Sequence, residues 1–370
     1  MSSMTPKDRV RTALAHEQPD RVPLEMSFTP EFARRLRGHL FGETGQRHNP
    51  HGGGNDYALE LELGLDVLLT SVGWANSYYA GDLYNPGADH YTDEWGIDWR
   101  NIRYEIRFGE GFYTEFENPP LADDAAIDSY QAPDPTRPGL YTAVEQAVRD
   151  FGKDHWIVGS CQTTIWETAV ALRGFENLLM DLLEDPDLVG RILDIPQAYH
   201  TAVCRRLVEL GVDMVWLGDD IGAQHSMIMS PDQWRALLKP RFAALIAELK
   251  SMNPALKVAY HTDGYVEPVI GELIEIGVDV LHPIQPACMD PAELKRRFGD
   301  RLCFMGTVDE QHTLPFGSVE DVRREVLERI RTVGAGGGLI LAPTHHVQLD
   351  TPIENLLALV ETAKQPGHVA

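Results

Sequence analysis

Two side chains that can bind a metal or carry a proton follow an apolar run in the stretch AYHTDG, residues 259–264. The run from Leu256 to Tyr260 predicts a buried strand, so His261 and Asp263 are expected where that strand opens into a loop. Side chains two residues apart on a strand point to the same face, so both groups can act on one ligand. The pair can hold a borderline metal such as zinc or, without metal, move a proton. The spacing alone does not choose between these two chemistries.

The last apolar run of the chain ends in two adjacent histidines, His345 and His346. If the strands are parallel and close into a barrel, their carboxyl ends converge, which places this pair opposite His261 and Asp263. We predict that His345 or His346 completes a metal site with those two residues, since imidazole and carboxylate groups are ordinary zinc ligands, and we take His345 as the third ligand.

Carboxylates follow two other predicted strands. We predict that Glu167, Asp219 and Asp220 hydrogen-bond the substrate or move protons, with His261 as a fourth catalytic group. The alternative for Asp219 or Asp220 is a cap on the next helical turn.

Further polar residues near the strand ends are candidates for binding the substrate. They are Gln162, His225, His282, Gln285 and His346. His225 is alternatively an ordinary loop residue. His282 lies inside an apolar strand and is alternatively a core histidine bonded to a backbone carbonyl.

Eight short apolar runs are separated by helical patterns and predict the elements that position these residues. The runs span 21–28, 65–72, 155–161, 214–219, 258–263, 278–284, 302–308 and 339–345. Because they show no alternation, they indicate parallel strands covered by helices on both faces. The pattern predicts an α/β protein, a (β/α)8 TIM barrel formed by a single domain over 1–370. A doubly wound sheet is the alternative, but no GxGxxG follows the first strand.

The chain is longer than a typical barrel, and the surplus lies between the second and third strands. We predict an insertion over about 75–135. Within it, residues 88–116 are rich in aromatic side chains and alternate, which predicts an antiparallel β-hairpin over one mouth of the barrel.

Charge and cysteine usage restrict the class of function. The net charge of −24, from 56 acidic and 32 basic residues, disfavours binding to nucleic acid or anionic membranes. The 4 cysteines form no CxxC pair, which favours a reducing cytoplasm over a disulfide framework. No apolar leader or membrane-spanning run is present, so export is not expected. A small-molecule enzyme is the favoured class, and a non-enzymatic binding protein is disfavoured because so many titratable groups meet at the strand ends.

Long stretches of the chain resemble one enzyme superfamily. They include TPKDRVRTALAHEQPDRVP (5–23), RGFENLLMDLLEDPDLV (173–189), residues 277–322 and GGGLILAPTHHVQLDTPIENLLALVETA (336–363). These stretches resemble the uroporphyrinogen decarboxylase (URO-D) superfamily. It holds the decarboxylase of haem synthesis and zinc-dependent methyltransferases that move methyl groups to or from corrinoid proteins, thiols and folates. The resemblance implies the barrel fold and, as in many members, a homodimer.

The methyltransferase branch is the nearer one. The haem-pathway decarboxylase has a WxMRQAGR tract that is absent here, and its catalytic aspartate has no counterpart in LLTSVGWANSYYAGD (68–82). The methyltransferase zinc site resembles His-x-Cys after the fifth strand and a cysteine after the eighth. In this chain Asp263 follows His261 in place of the first cysteine, and PTHH (343–346) replaces the second. Losing both thiolates makes a bound zinc a stronger Lewis acid that favours substrate oxygen over sulfur.

Two reactions remain open at this stage. The first is methyl transfer between a small methoxylated or other oxygen-liganding substrate and a corrinoid protein, an O-demethylation with zinc at His261, Asp263 and His345. The alternative is a metal-independent decarboxylase of a small aromatic or heterocyclic acid. Asp219, Asp220 and His261 would then carry protons.

Overall fold

Seven parallel strands form the central sheet of the computed structural model, which describes residues 4–45, 47–81, 83, 88–161 and 163–365. The strands in the described residues are β1 (Val67–Ser71), β2 (His90–Thr92), β3 (Asp98–Ile106), β4 (Gly109–Glu117), β5 (Trp156–Cys161), β6 (Met214–Gly218), β7 (Lys257–His261), β8 (Val280–His282), β9 (Cys303–Met305) and β10 (Leu339–Ile340). The central sheet has the order β1-β5-β6-β7-β8-β9-β10. This order follows the chain without reversal, which excludes the doubly wound alternative. The α/β class and seven of the predicted strands are confirmed.

Helices connect the strands of the central sheet. The described residues form α1 (Pro6–Leu14), α2 (Pro30–Phe41), α3 (Ala58–Leu63), α4 (Asp124–Ile127), α5 (Thr142–Phe151), α6 (Trp166–Arg173), α7 (Phe175–Glu184), α8 (Pro186–Leu210), α9 (Pro231–Leu237), α10 (Lys239–Met252), α11 (Ile270–Glu275), α12 (Pro291–Phe298), α13 (Thr313–Phe316), α14 (Val319–Thr332) and α15 (Ile353–Lys364). A π-helix spans Asn76–Ala80 and a 3-10 helix spans Glu267–Val269. Within the described ranges, none of these helices is long and apolar enough to cross a membrane.

The strand predicted over 21–28 is replaced by single bridges. Leu24 pairs with Leu341 and Phe28 with Val347. The N–H of Leu24 donates to the side chain of Asp66 at 2.8 Å instead of to a backbone carbonyl, and Pro23 has no N–H, so a continuous ladder does not form.

The same segment is hydrogen-bonded to both edges of the central sheet. The carbonyl of Leu24 accepts a bond from Asp66 N at 2.9 Å, just before β1, and Glu25 N donates to the carbonyl of Leu341 at 3.1 Å, just after β10. Residues 24 and 25 therefore lie between the first and last strands of the sheet.

A small apolar cluster fills the concave side of the sheet. Its members are Val67, Trp156, Val158, Met214, Trp216, Ala259, Val280, Cys303, Met305, Ile340 and Ala342, with Val10 and Leu14 of α1. Because α1 also contacts the sheet here, it closes the amino end of the strands. The carboxyl end is left for polar side chains and a cavity.

A separate antiparallel sheet lies between β1 and β5 in the chain. Its order is β2-β3-β4, and β3 and β4 pair from Asp98–Glu117 to Ile106–Gly109. Residues of β3 and β4 line a cavity together with His345 and His346. This sheet therefore contributes to the carboxyl end of the central sheet.

Candidate active site

A cavity of about 250 Å³ opens at the carboxyl end of the central sheet. Its described lining residues are Glu25, Ser27, His51, Leu69, Tyr79, Ser160, Thr163, Glu167, Trp216, Asp220, His261, His282, His345 and His346. Five histidines and three carboxylates are present, whereas no lysine or arginine is among these residues. The lining can therefore bind a metal and exchange protons, but it offers no fixed cation to an anionic substrate.

Three potential metal ligands converge beside this cavity. One ligand atom each of His261, Asp263 and His345 lies within 4.8 Å of the other two, and no other group of three or more such residues converges in the described ranges. His345 Nε2 lies 4.0 Å from Asp263 Oδ2. His261 ends β7, Asp263 follows it in the loop, and His345 follows β10, so strands distant in sequence bring the three together.

Hydrogen bonds to neighbouring loops hold the backbone of these ligands. Asp263 N donates to Asp220 Oδ1 at 2.8 Å, and Gly264 N donates to Gln285 Oε1 at 2.5 Å. Glu310 accepts bonds from the N–H groups of His345 at 3.1 Å and Gln348 at 3.0 Å. Burial raises the pKa of Glu310 well above its ordinary value. The side chains of Asp220, Gln285 and Glu310 therefore hold the backbone of the loops that carry the candidate ligands.

The donor set fits a borderline metal ion. Asp263 Oδ1 is buried and has no hydrogen-bond partner, an arrangement that is costly unless a cation or a donor binds it. His261 Nδ1 lies 2.8 Å from His282 Nδ1, which leaves His261 Nε2 to face Asp220 Oδ1 at 3.7 Å. Two imidazoles and one carboxylate are a common protein donor set for catalytic zinc, and such sites keep a further position open.

The surrounding histidines are held in their neutral form. Burial is the main cause that lowers the pKa of His282 and His346 well below the ordinary value, and it lowers the pKa of His51 to about 3. His346 Nδ1 is 2.5 Å from Ser27 Oγ, and its ring packs edge-on against His51 at 4.7 Å. Trp216 packs against His261 and His282 at 5.7 and 4.7 Å between ring centroids. These contacts restrict the orientation of each ring.

Two buried acids in the cavity favour their protonated form. Burial, with repulsion from Asp220 and Asp219, raises the pKa of Glu167 well above its ordinary value. Burial and the nearby Glu60 raise the pKa of Glu25 to about 8. A protonated carboxyl group can donate a hydrogen bond or a proton near neutral pH.

The matching family model is that of uroporphyrinogen decarboxylase (URO-D), and it covers residues 101–366. The chain belongs to the URO-D family. The match includes β5 to β10 and therefore all three converging ligands. It also covers β4 and the part of β3 from residue 101, but not β1 or the segment that contains Glu25.

Relatives within this family have two kinds of activity. The chain is 26% identical over 224 residues to methylcobamide:CoM methyltransferase MtaA of Methanosarcina barkeri, covering 60% of this chain and 62% of that relative. It is 23% identical over 255 residues to uroporphyrinogen decarboxylase of Trichodesmium erythraeum, covering 67% and 69%. The chain thus spans less than two thirds of MtaA.

A solved methyltransferase from Methanosarcina mazei shares the fold of this URO-D family member. Its TM-score is 0.69 at 21% sequence identity, and the superposition covers 98% of both chains. At this identity the likeness concerns the fold.

Three predicted site residues neither line the cavity nor belong to the converging group of His261, Asp263 and His345. Asp219 is fully buried and accepts bonds at 3.0 Å from Ile165 N and Glu167 N, so it caps the start of α6. Burial raises its pKa to about 6. His225 is exposed in the loop after β6, and Gln285 binds the backbone of Gly264. Gln162 lies outside the described residues.

Several residues of the cavity were not predicted from the sequence. Glu25 and Ser27 lie two apart on the segment between β10 and β1, and both line the cavity. The sequence feature that could have identified this pair is the carboxylate of Glu25 inside the apolar run RVPLEMSF. His51 comes from an irregular loop and Tyr79 from the short π-helix after β1, and neither carries a periodic signal.

Proposed function

We propose that this URO-D family member is a methyltransferase that removes a methyl group from an oxygen of a small substrate and passes it to a corrinoid protein. The convergence of His261, Asp263 and His345 within 4.8 Å carries the proposal. The similarity to MtaA, whose name describes transfer between a methylcobamide and CoM, supports methyl transfer.

The three converging residues would hold zinc. Two imidazoles and a carboxylate provide no thiolate, so a zinc ion held here would be a stronger Lewis acid than one in a cysteine-rich site and would favour a substrate oxygen over sulfur. Asp263 Oδ1, which is buried and unpaired, favours occupation by a cation.

The protein's own acids supply the proton that the reaction requires. When the bond between carbon and oxygen breaks, the methyl group goes to the acceptor without its bonding electrons, and the substrate oxygen keeps them. That oxygen then needs one proton to form a hydroxyl group. Glu167 lines the cavity in a state that favours protonation, so it is the proposed donor. The proton that Glu167 gives up would be replaced from solvent through the carboxylate of Asp220, which lines the same cavity.

His282, His346 and Gln285 position these groups and the substrate. His282 holds the ring of His261, and Gln285 holds the loop that carries Asp263. His346 lines the cavity beside Ser27 and would contact the substrate.

The proposed architecture is one closed barrel over 1–370. Residues 24 and 25 would act as the eighth strand, because they bridge the first and last strands of the central sheet. The insertion over about 75–135 would place its antiparallel sheet over the barrel mouth, where β4 contributes residues to a cavity beside His345. A corrinoid protein would dock at this mouth, since the amino end is closed by α1.

Metal content tests the site first. Plasma mass spectrometry of the purified protein, reconstituted with zinc and dialysed, is expected to give about one zinc per chain. His261→Ala should lose the ion, whereas His225→Ala, an exposed histidine of the same face, should retain it. A zinc-free wild-type protein would contradict the proposed site.

Methyl transfer is tested with methoxylated compounds and cob(I)alamin as a surrogate for the corrinoid protein. Methylcobalamin and the demethylated hydroxyl compound should form in equal amounts. If the protein instead releases carbon dioxide from carboxylated aromatics, the decarboxylase alternative replaces methyl transfer.

Two features of the cavity bear on the decarboxylase alternative. The acids Glu25 and Glu167 favour it, because they can act as proton donors. The absence of lysine and arginine among the described lining residues disfavours it, because its substrate would be an anion.

A further inference from the structure

A second cavity of about 250 Å³ lies beside the cavity that holds the histidines. The two cavities share Tyr79, His345 and His346. A molecule bound next to His345 can therefore extend from one cavity into the other. Since the first cavity contains the reacting groups, the second is placed to hold the part of the substrate that does not react.

Proline and aromatic residues form part of the wall of the second cavity, beside polar residues. Its apolar lining residues are Pro30, Pro50, Tyr78, Tyr79, Phe112 and Tyr113. They come from three separate parts of the chain: the start of α2 and the loop that follows it, the π-helix after β1, and strand β4. Aromatic side chains bind planar rings through offset-stacked and edge-to-face contacts, so these walls favour an aromatic ligand over a flexible aliphatic one.

The size of the second cavity suits one substituted ring. An apolar cavity of about 150 Å³ in another protein is large enough to bind benzene. The volume here leaves room for ring substituents, and the side chain of Gln348 lines the cavity with an amide that can hydrogen-bond a hydroxyl group. Asn101 is already engaged, since its Oδ1 accepts a bond from the Tyr78 hydroxyl at 2.9 Å and its Nδ2 donates to Ala88.

Charge in the second cavity favours a neutral ring. No described lining residue is a lysine or arginine, so a carboxylate on the ring would have no fixed cation. Arg103 lies 5.2 Å from the centre of the Phe112 ring but does not line the cavity. Glu31 is the acid of this cavity, and burial raises its pKa, which favours the uncharged form and weakens attraction for a cation.

We propose that the substrate is a neutral methoxylated aromatic compound whose ring lies between the tyrosines of the π-helix and Phe112 of β4. This inference rests on the proposed function, because the ring is placed relative to an oxygen bound near His345. It assigns the antiparallel sheet a role in substrate recognition.

Direct binding tests the inference without turnover. Guaiacol, a neutral methoxyphenol, is titrated into the zinc-loaded protein by calorimetry with no methyl acceptor present. Phe112→Ala and Tyr79→Ala should each weaken guaiacol binding by roughly tenfold, as expected for loss of an aromatic contact. Tyr104→Ala is the matched control, since Tyr104 is an aromatic residue of the same sheet that lines neither cavity. Thermal melts confirm that each variant is folded.

Comparison probes decide the outcome. The inference is supported if guaiacol binds at least tenfold more tightly than the aliphatic ether 1,2-dimethoxyethane, the anion 3-methoxybenzoate and the cation tetramethylammonium. It is overturned if any of these three binds as tightly, or if both cavity variants bind guaiacol as the control does. If guaiacol binding depends on Phe112 but guaiacol loses no methyl group, the proposed function is wrong, while the aromatic subsite still holds. If the protein demethylates only the aliphatic ether, the aromatic subsite is wrong, while the proposed methyl transfer still holds.

Discussion

The Nδ1 atoms of His261 and His282 lie 2.8 Å apart at the ends of the neighbouring strands β7 and β8. Because burial keeps His282 uncharged, one of the two nitrogens donates its hydrogen and the other accepts it. The bond fixes the ring of His261 with Nε2 toward Asp220. His282 therefore orients a proposed ligand.

Removing this orienting contact should weaken metal binding. We expect His282→Ala to lower zinc affinity by roughly 10–100-fold, as for other residues that orient metal-bound histidines. Competition with a chromophoric chelator measures the affinity. His225→Ala should match the wild-type protein, because His225 is exposed in the loop after β6. Equal affinities in all three proteins would show that His261 needs no such partner.

A pair of glycines separates backbone strain from contact with His282. Gly306 and Gly336 have φ values of +71° and +77°. A Cβ on Gly306 would lie 2.7 Å from His282 Cδ2 and Nε2, whereas a Cβ on Gly336 would have nothing within 4 Å. Both alanine variants should lose roughly 1–2 kcal/mol of stability from the left-handed backbone, and Gly306→Ala should lose more.

Only the first of these variants should affect the site. In Gly306→Ala the displaced His282 should also reduce zinc affinity, while Gly336→Ala should bind zinc normally. Urea unfolding and chelator competition measure the two effects. A Gly306→Ala protein with wild-type zinc affinity would mean that the ring of His282 can shift without disturbing His261.

Periodicity predicted most of the central sheet because strands buried on both faces form continuous apolar runs. The segment 21–28 was the exception. Leu24 gives its N–H to the side chain of Asp66, and this pairing over 42 residues leaves no local pattern in the sequence.

The convergence of the three candidate ligands could be predicted because each lies at or just after the end of a strand. His261, Asp263 and His345 could be grouped because parallel strands in a curled sheet converge at their carboxyl ends. Asp219 looked equivalent to Asp220, yet successive side chains of an extended segment point in opposite directions, and only Asp220 lines the cavity. His51 could not be found, since its position depends on an irregular loop.

Substitutions at the two neighbouring aspartates should affect different properties, stability for Asp219 and turnover for Asp220. Asp219→Ala removes the acceptor for the N–H groups of Ile165 and Glu167 at the start of α6, so it should lower the free energy of unfolding by about 2–4 kcal/mol. Asp220→Asn keeps a side-chain oxygen for Asp263 N but loses the negative charge. It should leave stability within about 0.5 kcal/mol and reduce turnover at least tenfold. Urea unfolding and the methylcobalamin assay measure the pair. A stable Asp219→Ala protein would contradict the assigned capping role.

Glu25 should make the stability of the protein depend on pH. Burial and the nearby Glu60 raise its pKa from 4.5 to about 8 in the folded chain. Above pH 4.5 the unfolded chain releases this proton, while the folded chain keeps it until about pH 8. The free energy of unfolding therefore falls as pH rises through that range, by about 3–5 kcal/mol for this group.

Glu25→Gln should remove that part of the pH dependence, because glutamine has a similar shape and does not ionise. Urea unfolding between pH 5 and pH 9 should show a smaller loss of stability in this variant than in the wild-type protein. Glu62→Gln, at an exposed position of α3, should keep the wild-type slope. Parallel slopes for the wild-type protein and Glu25→Gln would mean that Glu25 is ionised in the folded cavity. A neutral Glu25 would instead leave the cavity with a second protonated acid, in addition to Glu167, near neutral pH.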